Sequence, residues 1–475
     1  MSQFHRSLGL WDATMLVAGS MIGSGIFIVS AGMLRDLGSP AWMLTAWVVA
    51  GVLTVLAALS YGELAAMMPK AGGQFVYLQR AYGKLTAFLY GWTAFTVITS
   101  GIIAAVAVAF AKFSAVFFPV LSPTNILIDL GFLKVSGAQV HAVSAIILLT
   151  LFNTRGVESS KTFTTVFTTA KIIAVLALIV VGLAVGLGTD VLTTNFAQGW
   201  EAFTTSKEGA TGPLTGLALL SALGAAMVGS LFSSDGWNSV TFIAGEIKAP
   251  QRNIPRSLAL GTFMVTALYV LANITYLALL PNQAIMHAEA DRVGTAAAEV
   301  IMGPTAVSVM AILIMVSTFG CINGYVLTGP RMYYAMAREG LFFKKAGELS
   351  GKGVPQWALW VQCIWSCALC FSGTYGDLLD YATFASLLFY VVTIGGIFIL
   401  RRREPTVERP YKAFGYPFVP ALYIACALGF CLNLLYAKPA FTVGSLVIVG
   451  VGAVVYFVTM RTRTAEEAPR SEGSR

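Results

Sequence analysis

The sequence predicts an all-α polytopic membrane protein with twelve transmembrane helices, and three observations carry that prediction. The chain of 475 residues is 57% hydrophobic and only 11% charged, with a mean hydropathy of +0.77; soluble domains carry about 25% charged residues. Apolar runs of about 20 residues, the length that crosses a bilayer, recur between charged or Pro/Gly interruptions. Lys and Arg are distributed asymmetrically about those runs. Of the 30, 23 fall on the side of the N-terminus, six fall on the other (Arg35, Lys112, Lys134, Lys207, Arg292, Lys438), and Lys171 lies inside a run. This is the positive-inside pattern, so both termini are expected in the cytoplasm. The asymmetry also accounts for the net charge of +8 without a nucleic-acid partner.

In chain order, residues 1–11 are a short polar N-terminus and 12–187 hold five runs, near 12–34, 41–66, 86–111, 138–154 and 163–187. A polar external stretch, 188–213, precedes five more runs within 214–400, near 214–244, 257–280, 303–330, 357–373 and 379–400. A cytoplasmic loop, 401–416, leads to two final runs within 417–460, and 461–475 is a charged tail expected to be disordered. No cleavable signal is expected, because the first run is long and belongs to the pattern.

The first run contains Gly19-Ser20-Met21-Ile22-Gly23-Ser24-Gly25-Ile26-Phe27. Glycine costs about 1 kcal/mol per helical position relative to alanine, so this stretch predicts a helix break at mid-depth. Broken backbone inside a membrane is tolerated only where protein or a water-filled cavity satisfies it, which points to a ligand site. Gly19 and Gly23 equally form a small-xxx-small pair that serves close helix packing. The sixth run contains a second polar interruption, Leu231-Phe232-Ser233-Ser234-Asp235-Gly236-Trp237-Asn238. Runs one and six occupy corresponding positions in two sets of five, so 12–187 and 214–400 are read as inverted repeats with a binding site between the breaks.

Three charged residues stand out. Lys171 lies well inside the fifth run, where a lysine is costly and should face the protein interior with a partner; the alternative is snorkelling to the interface. Asp235 either caps amides of the broken helix or meets a cationic group of a ligand. Glu63, at the end of the second run, reads as an interfacial salt bridge or as a functional carboxylate. After it, Pro69 to Tyr77 predicts a turn and a short amphipathic piece along the cytoplasmic face. Glu246 to Arg256 reads as a charged cytoplasmic turn. Ser317 and Thr318 in the eighth run either bond back to their own helix or face the first helix and hold Lys171 or a cation.

Metal and enzyme chemistry are not expected. Cys363, Cys367 and Cys370 share a helical face without an acidic or histidine partner, the chain has only His5, His141 and His287, and no nucleophile elbow is present. The six cysteines all fall in or near apolar runs, which excludes a disulfide scaffold. No cofactor is expected.

Ile22-Gly23-Ser24-Gly25-Ile26-Phe27, the Pro69 to Tyr77 turn, Asp235-Gly236-Trp237-Asn238, and Gly245-Glu246 with the Pro-Gln-Arg-Asn-Ile-Pro-Arg run occur here in order. Together they resemble the amino acid, polyamine and organocation transporter superfamily, and within it the bacterial relatives of the L-type amino acid transporters, over about Ser7 to Met460. The resemblance implies a leucine-transporter-type fold of five-plus-five inverted repeats with two added helices. It implies sodium-independent exchange of neutral L-amino acids in a cell membrane, with proton-coupled symport and transport of cationic amino acids or polyamines as alternatives.

The resemblance further implies a substrate carboxylate held by backbone amides around Gly23, Ser24 and Gly25, beside Ile22, and an ammonium held by carbonyls around Met21, Phe232, Ser233 and Asp235. Trp237 and Asn238 belong to the same substrate-binding set. Phe232 matches an aromatic outer gate. Lys171 matches a lysine that stands in place of sodium, with carbonyls of Gly19 and Ile22 and the Ser317 hydroxyl as partners; Thr318 is grouped with it. Two departures matter. The loop between helices 3 and 4 lacks the cysteine that links eukaryotic members to a heavy chain, so no disulfide-linked partner is expected. Ser233-Ser234 replaces a small-plus-aromatic pair, which leaves the side-chain preference open.

Overall fold

The computed structural model describes residues 6–129, 134–197, 199–205, 211–372 and 375–467. The first apolar run divides into α1 (Leu10–Met21) and α2 (Gly25–Leu37), which bend by 41° across Ile22-Gly23-Ser24. Next come α3 (Pro40–Met67), the short amphipathic α4 (Gln74–Tyr82) where a turn and surface piece were expected, and a span of α5 (Lys84–Thr93) and α6 (Thr99–Ser114) joined through a π-helical turn. Strands β1 (Ile126–Asp129) and β2 (Lys134–Ser136) pair antiparallel before α7 (Gly137–Asn153) and α8 (Val157–Gly186). The polar stretch 188–213 holds α9 (Val191–Phe196) and a hairpin of β3 (Phe203–Thr205) and β4 (Thr211–Pro213), none of which the hydropathy pattern announces.

The second half of the chain also contains an interrupted helix. Here α10 (Gly216–Ser233) stops at the polar interruption and α11 (Ser239–Phe242) continues it as a short helix. Helix α12 (Pro250–Leu279) starts seven residues before the apolar run, which corrects the reading of Glu246 to Arg256 as a turn. Pro250 occupies the first helical position, where a missing N–H costs nothing, and so the helix begins there. After α13 (Asn282–Met286) and α14 (Val293–Met302) come α15 (Thr305–Arg338), α16 (Gln356–Leu369), α17 (Tyr375–Arg403), α18 (Phe418–Ala437) and α19 (Pro439–Glu467). Helix α19 runs seven residues beyond Met460, so a disordered tail from 461 is corrected for 461–467; the rest of that tail, and Lys207, lie outside the described residues.

Among the described residues, nine helices are long and apolar enough to cross a membrane, and the bent α1–α2 pair makes a tenth. The expected fourth and ninth spans are the shorter α7 and α16. Helix α1 packs on α8, α12 and α15 at the centre of the bundle, while α2 packs on α10. Helices α18 and α19 lie at the periphery, with 28% and 17% of their most apolar windows buried.

Glu63 is buried at the end of α3, where its carboxylate accepts from Arg401 Nε at 2.9 Å and Nη2 at 2.6 Å and from the amide of Ala413 at 2.7 Å. Arg409 Nε approaches the same group at 3.2 Å. The salt-bridge alternative therefore describes Glu63, and it pins the 401–416 loop against α3.

Candidate functional site

An α-helix leaves its last carbonyls and first amides without partners inside the helix, so each break presents two sets of backbone groups that must be satisfied by other parts of the protein or by a ligand. At the first break, Ile22-Gly23-Ser24 separates the carbonyl end of α1 from the amide end of α2, and every residue from Ala13 to Ile28 is buried. At the second, Ser234 to Asn238 separates α10 from α11, with Gly236 at φ +87°. The breaks lie against one another because Gly25 has no side chain: a Cβ there would stand 2.8 Å from Ser233 Cβ and 3.2 Å from its Cα. Gly236 is bare for a similar reason, since a Cβ would meet the Tyr325 hydroxyl and the Ser20 carbonyl. Gly19 abuts Thr168 of α8. The glycine-rich stretch therefore both interrupts the helix and packs closely on its neighbours.

Lys171 is 1% exposed, and its Nζ donates to the carbonyl oxygens of Gly19 at 2.6 Å and Ile22 at 2.7 Å. A third, longer contact runs to the backbone carbonyl of Ser317 at 3.4 Å. The Ser317 hydroxyl was expected on the lysine; it instead donates to the carbonyls of Ile22 at 3.2 Å and Gly23 at 3.3 Å. The lysine has no acceptor need that a hydroxyl meets better than a carbonyl, whereas the first break has several carbonyls needing donors. Thr318 is a second correction. Its hydroxyl bonds back to Ile314 at 2.8 Å and Met315 at 3.1 Å within α15, the ordinary habit of a helical threonine.

Asp235 accepts a hydrogen bond from the backbone amide of Gly236 within the break. Its carboxylate accepts from the Tyr390 hydroxyl at 2.5 Å and from Ser386 at 3.4 Å, both on α17. Beside it is a small cavity of about 20 Å³, lined among others by Ser234, Thr54 and Ser386, which is room for about one water. Phe232 is buried at the end of α10. Trp237 and Asn238, expected among the substrate residues, have side-chain partners on α3, α4 and α17. Trp237 packs edge-on to Tyr61 at 4.9 Å and tilted to Tyr390 at 5.1 Å. Asn238 donates to Gln74 at 3.1 Å, and Gln74 in turn donates to Thr393.

Tyr269 of α12 has no counterpart in the sequence reading. Its hydroxyl lies 2.9 Å from the carbonyl of Met21 and 3.0 Å from that of Ser233, so one donor spans the carbonyl ends of both breaks. One turn on, Asn273 donates to the Tyr269 carbonyl and accepts from Ser30 of α2 at 2.6 Å. A tyrosine within an apolar run carries no periodic signal that separates it from a packing residue. Among the described residues, no group of three or more His, Cys, Asp or Glu is placed to hold a metal.

A family model described as amino acid permease matches residues 8–459. The mouse large neutral amino acids transporter small subunit 2 is 30% identical over 455 residues, covering 95% of this chain and 81% of that protein. The mouse b(0,+)-type amino acid transporter 1 is 29% identical, covering 92% of this chain and 84% of that protein. The serine/threonine exchanger SteT of Bacillus subtilis (strain 168) is 29% identical, covering 97% of this chain and 98% of that protein.

Proposed function

Because the chain belongs to the amino acid permease family, we propose that it is a sodium-independent antiporter that exchanges neutral L-amino acids by alternating access. The observation that carries this is the Lys171 ammonium seated on the Gly19 and Ile22 carbonyls. A tethered cation already meets the negative end of the first half-helix, where a coupling ion would otherwise bind. A zwitterion then fits the remaining backbone. Its carboxylate meets the amides of Gly23, Ser24 and Gly25 at the positive end of α2, beside Ile22. Its ammonium meets the carbonyls of Met21 and Ser233, which one hydroxyl already brings together, with Phe232 and Asp235 alongside. Ser317 and Gly19 tie the first break to α15 and α8.

The neutral-substrate reading draws on Asp235, whose carboxylate is engaged by Tyr390 and Ser386. In this proposal the chain makes twelve crossings, with α7 and α16 as short spans, and both termini are cytoplasmic. The two repeats are 12–187 and 214–400. Exchange follows if substrate binding supplies the free energy that closes the breaks, leaving the empty carrier slow to reorient.

The test is counterflow in sodium-free proteoliposomes with radiolabelled alanine and leucine. Uptake that requires internal amino acid supports the proposal. Uptake into empty liposomes driven by a proton gradient overturns exchange in favour of symport.

A further inference from the structure

At the end of the bundle where α3 finishes and α12 begins lies an open groove of about 550 Å³ that the transport reading does not use. One wall carries Arg252 and Arg256; the floor is Leu59, Ala259 and the ring of Tyr411. Gly62 shapes it, since a Cβ there would stand 2.8 Å from the Tyr411 ring and 3.3 Å from Pro255. Both arginines are exposed and, among the described residues, neither has a carboxylate partner. Three acids at this end are already engaged: Glu63 by Arg401 and Arg409, Glu246 by Arg331, and Glu404 by Arg80. Like charges four residues apart on a helix repel, and an anion between them would relieve that repulsion.

The same helix states what kind of anion. Arg252, Arg256, Leu260 and Phe263 follow one another along a single face of α12 at helical spacing, and Leu260 and Phe263 are 54% and 68% exposed. Alongside, α3 presents exposed Val48 and Val52, and the two helices touch where Thr266 packs on Gly51. The furrow is therefore charged at its mouth and apolar along its membrane-facing length. We infer that it binds an anionic phospholipid, with the phosphate on Arg252 and Arg256 and an acyl chain along Leu260 and Phe263. Basic pockets at a membrane surface recognise such headgroups by charge, while the tails exclude a merely soluble anion. This rests on the chain spanning a membrane and not on its substrate or direction.

The experiment is native mass spectrometry of the full chain in detergent, titrated with phosphatidylglycerol or with phosphatidylcholine of the same acyl chains. Wild type is expected to retain phosphatidylglycerol preferentially. R252Q/R256Q should bind it about thirty-fold more weakly, with phosphatidylcholine unchanged, and R252K/R256K should recover most of the binding. R402Q/R403Q, at the exposed end of α17, should behave as wild type. Equal retention by wild type and R252Q/R256Q overturns the site, as does equal retention of the two lipids by wild type. An equal loss in R402Q/R403Q shows diffuse surface charge instead. Displacement by glycerol phosphate at matched concentration shows a free-anion site instead. Because binding is read without transport or membrane orientation, failure here leaves the exchange proposal standing.

Discussion

Replacing Lys171 with alanine is the sharpest perturbation of the proposed cycle. The Gly19 carbonyl lies in the last turn of α1, where the helix itself supplies no donor, and Lys171 reaches it at 2.6 Å. The Ile22 carbonyl loses a 2.7 Å bond but keeps the Ser317 hydroxyl at 3.2 Å. The net loss is thus about one charge-assisted hydrogen bond, about 1.5–3 kcal/mol. At 1.4 kcal/mol per tenfold, that corresponds to a fall of about ten- to a hundredfold in exchange rate. The assay is counterflow at saturating and at limiting substrate, alongside thermal unfolding in detergent to separate cycling from folding. Exchange within about threefold of wild type, with normal unfolding, refutes the argument that the lysine holds the first break.

Three other perturbations follow from the same geometry. Tyr269→Phe removes the one hydroxyl shared by Met21 and Ser233; about 0.5–1.5 kcal/mol is lost, and KM in the counterflow assay should rise about three- to tenfold. Asp235→Asn keeps an acceptor for Tyr390 and Ser386, so alanine exchange should stay within about threefold and arginine should compete no less than before; selective loss of arginine competition would show a cation-binding carboxylate. Glu63→Ala leaves Arg401 and Arg409 without their shared partner; a destabilisation of about 3 kcal/mol is expected, read as a lowered unfolding temperature.

Much of the fold was legible because a bilayer punishes irregular backbone. Uninterrupted apolar runs of about 20 residues point to helices, and glycine and serine clusters at mid-run point to breaks or close packing. Local signals failed where the chain leaves that environment. The β1–β2 and β3–β4 hairpins and α9 are set by short contacts in connecting stretches, and Pro250 began a helix that charge patterning had marked as a turn. Within the site, the need of Lys171 for a buried partner was legible from the cost of an ammonium in hydrocarbon, while the Gly19 and Ile22 carbonyls came from the family resemblance. Ser317 and Thr318 show the limit: adjacent hydroxyls point a hundred degrees apart on a helix, and only packing decides which one meets α1.

Composition, hydropathy period and charge asymmetry were sufficient for an all-α membrane protein with two broken helices and a buried lysine, since each follows from the cost of polar groups in hydrocarbon. Tertiary structure alone decided which groups meet. It set Tyr269 across the carbonyls of both breaks, turned Asn238 toward Gln74, gave Asp235 to Tyr390 and left Arg252 and Arg256 without a carboxylate partner among the described residues. Those partnerships join residues tens to hundreds of positions apart, and a side chain's direction is chosen by the neighbours that bury it, which no local pattern along the chain encodes.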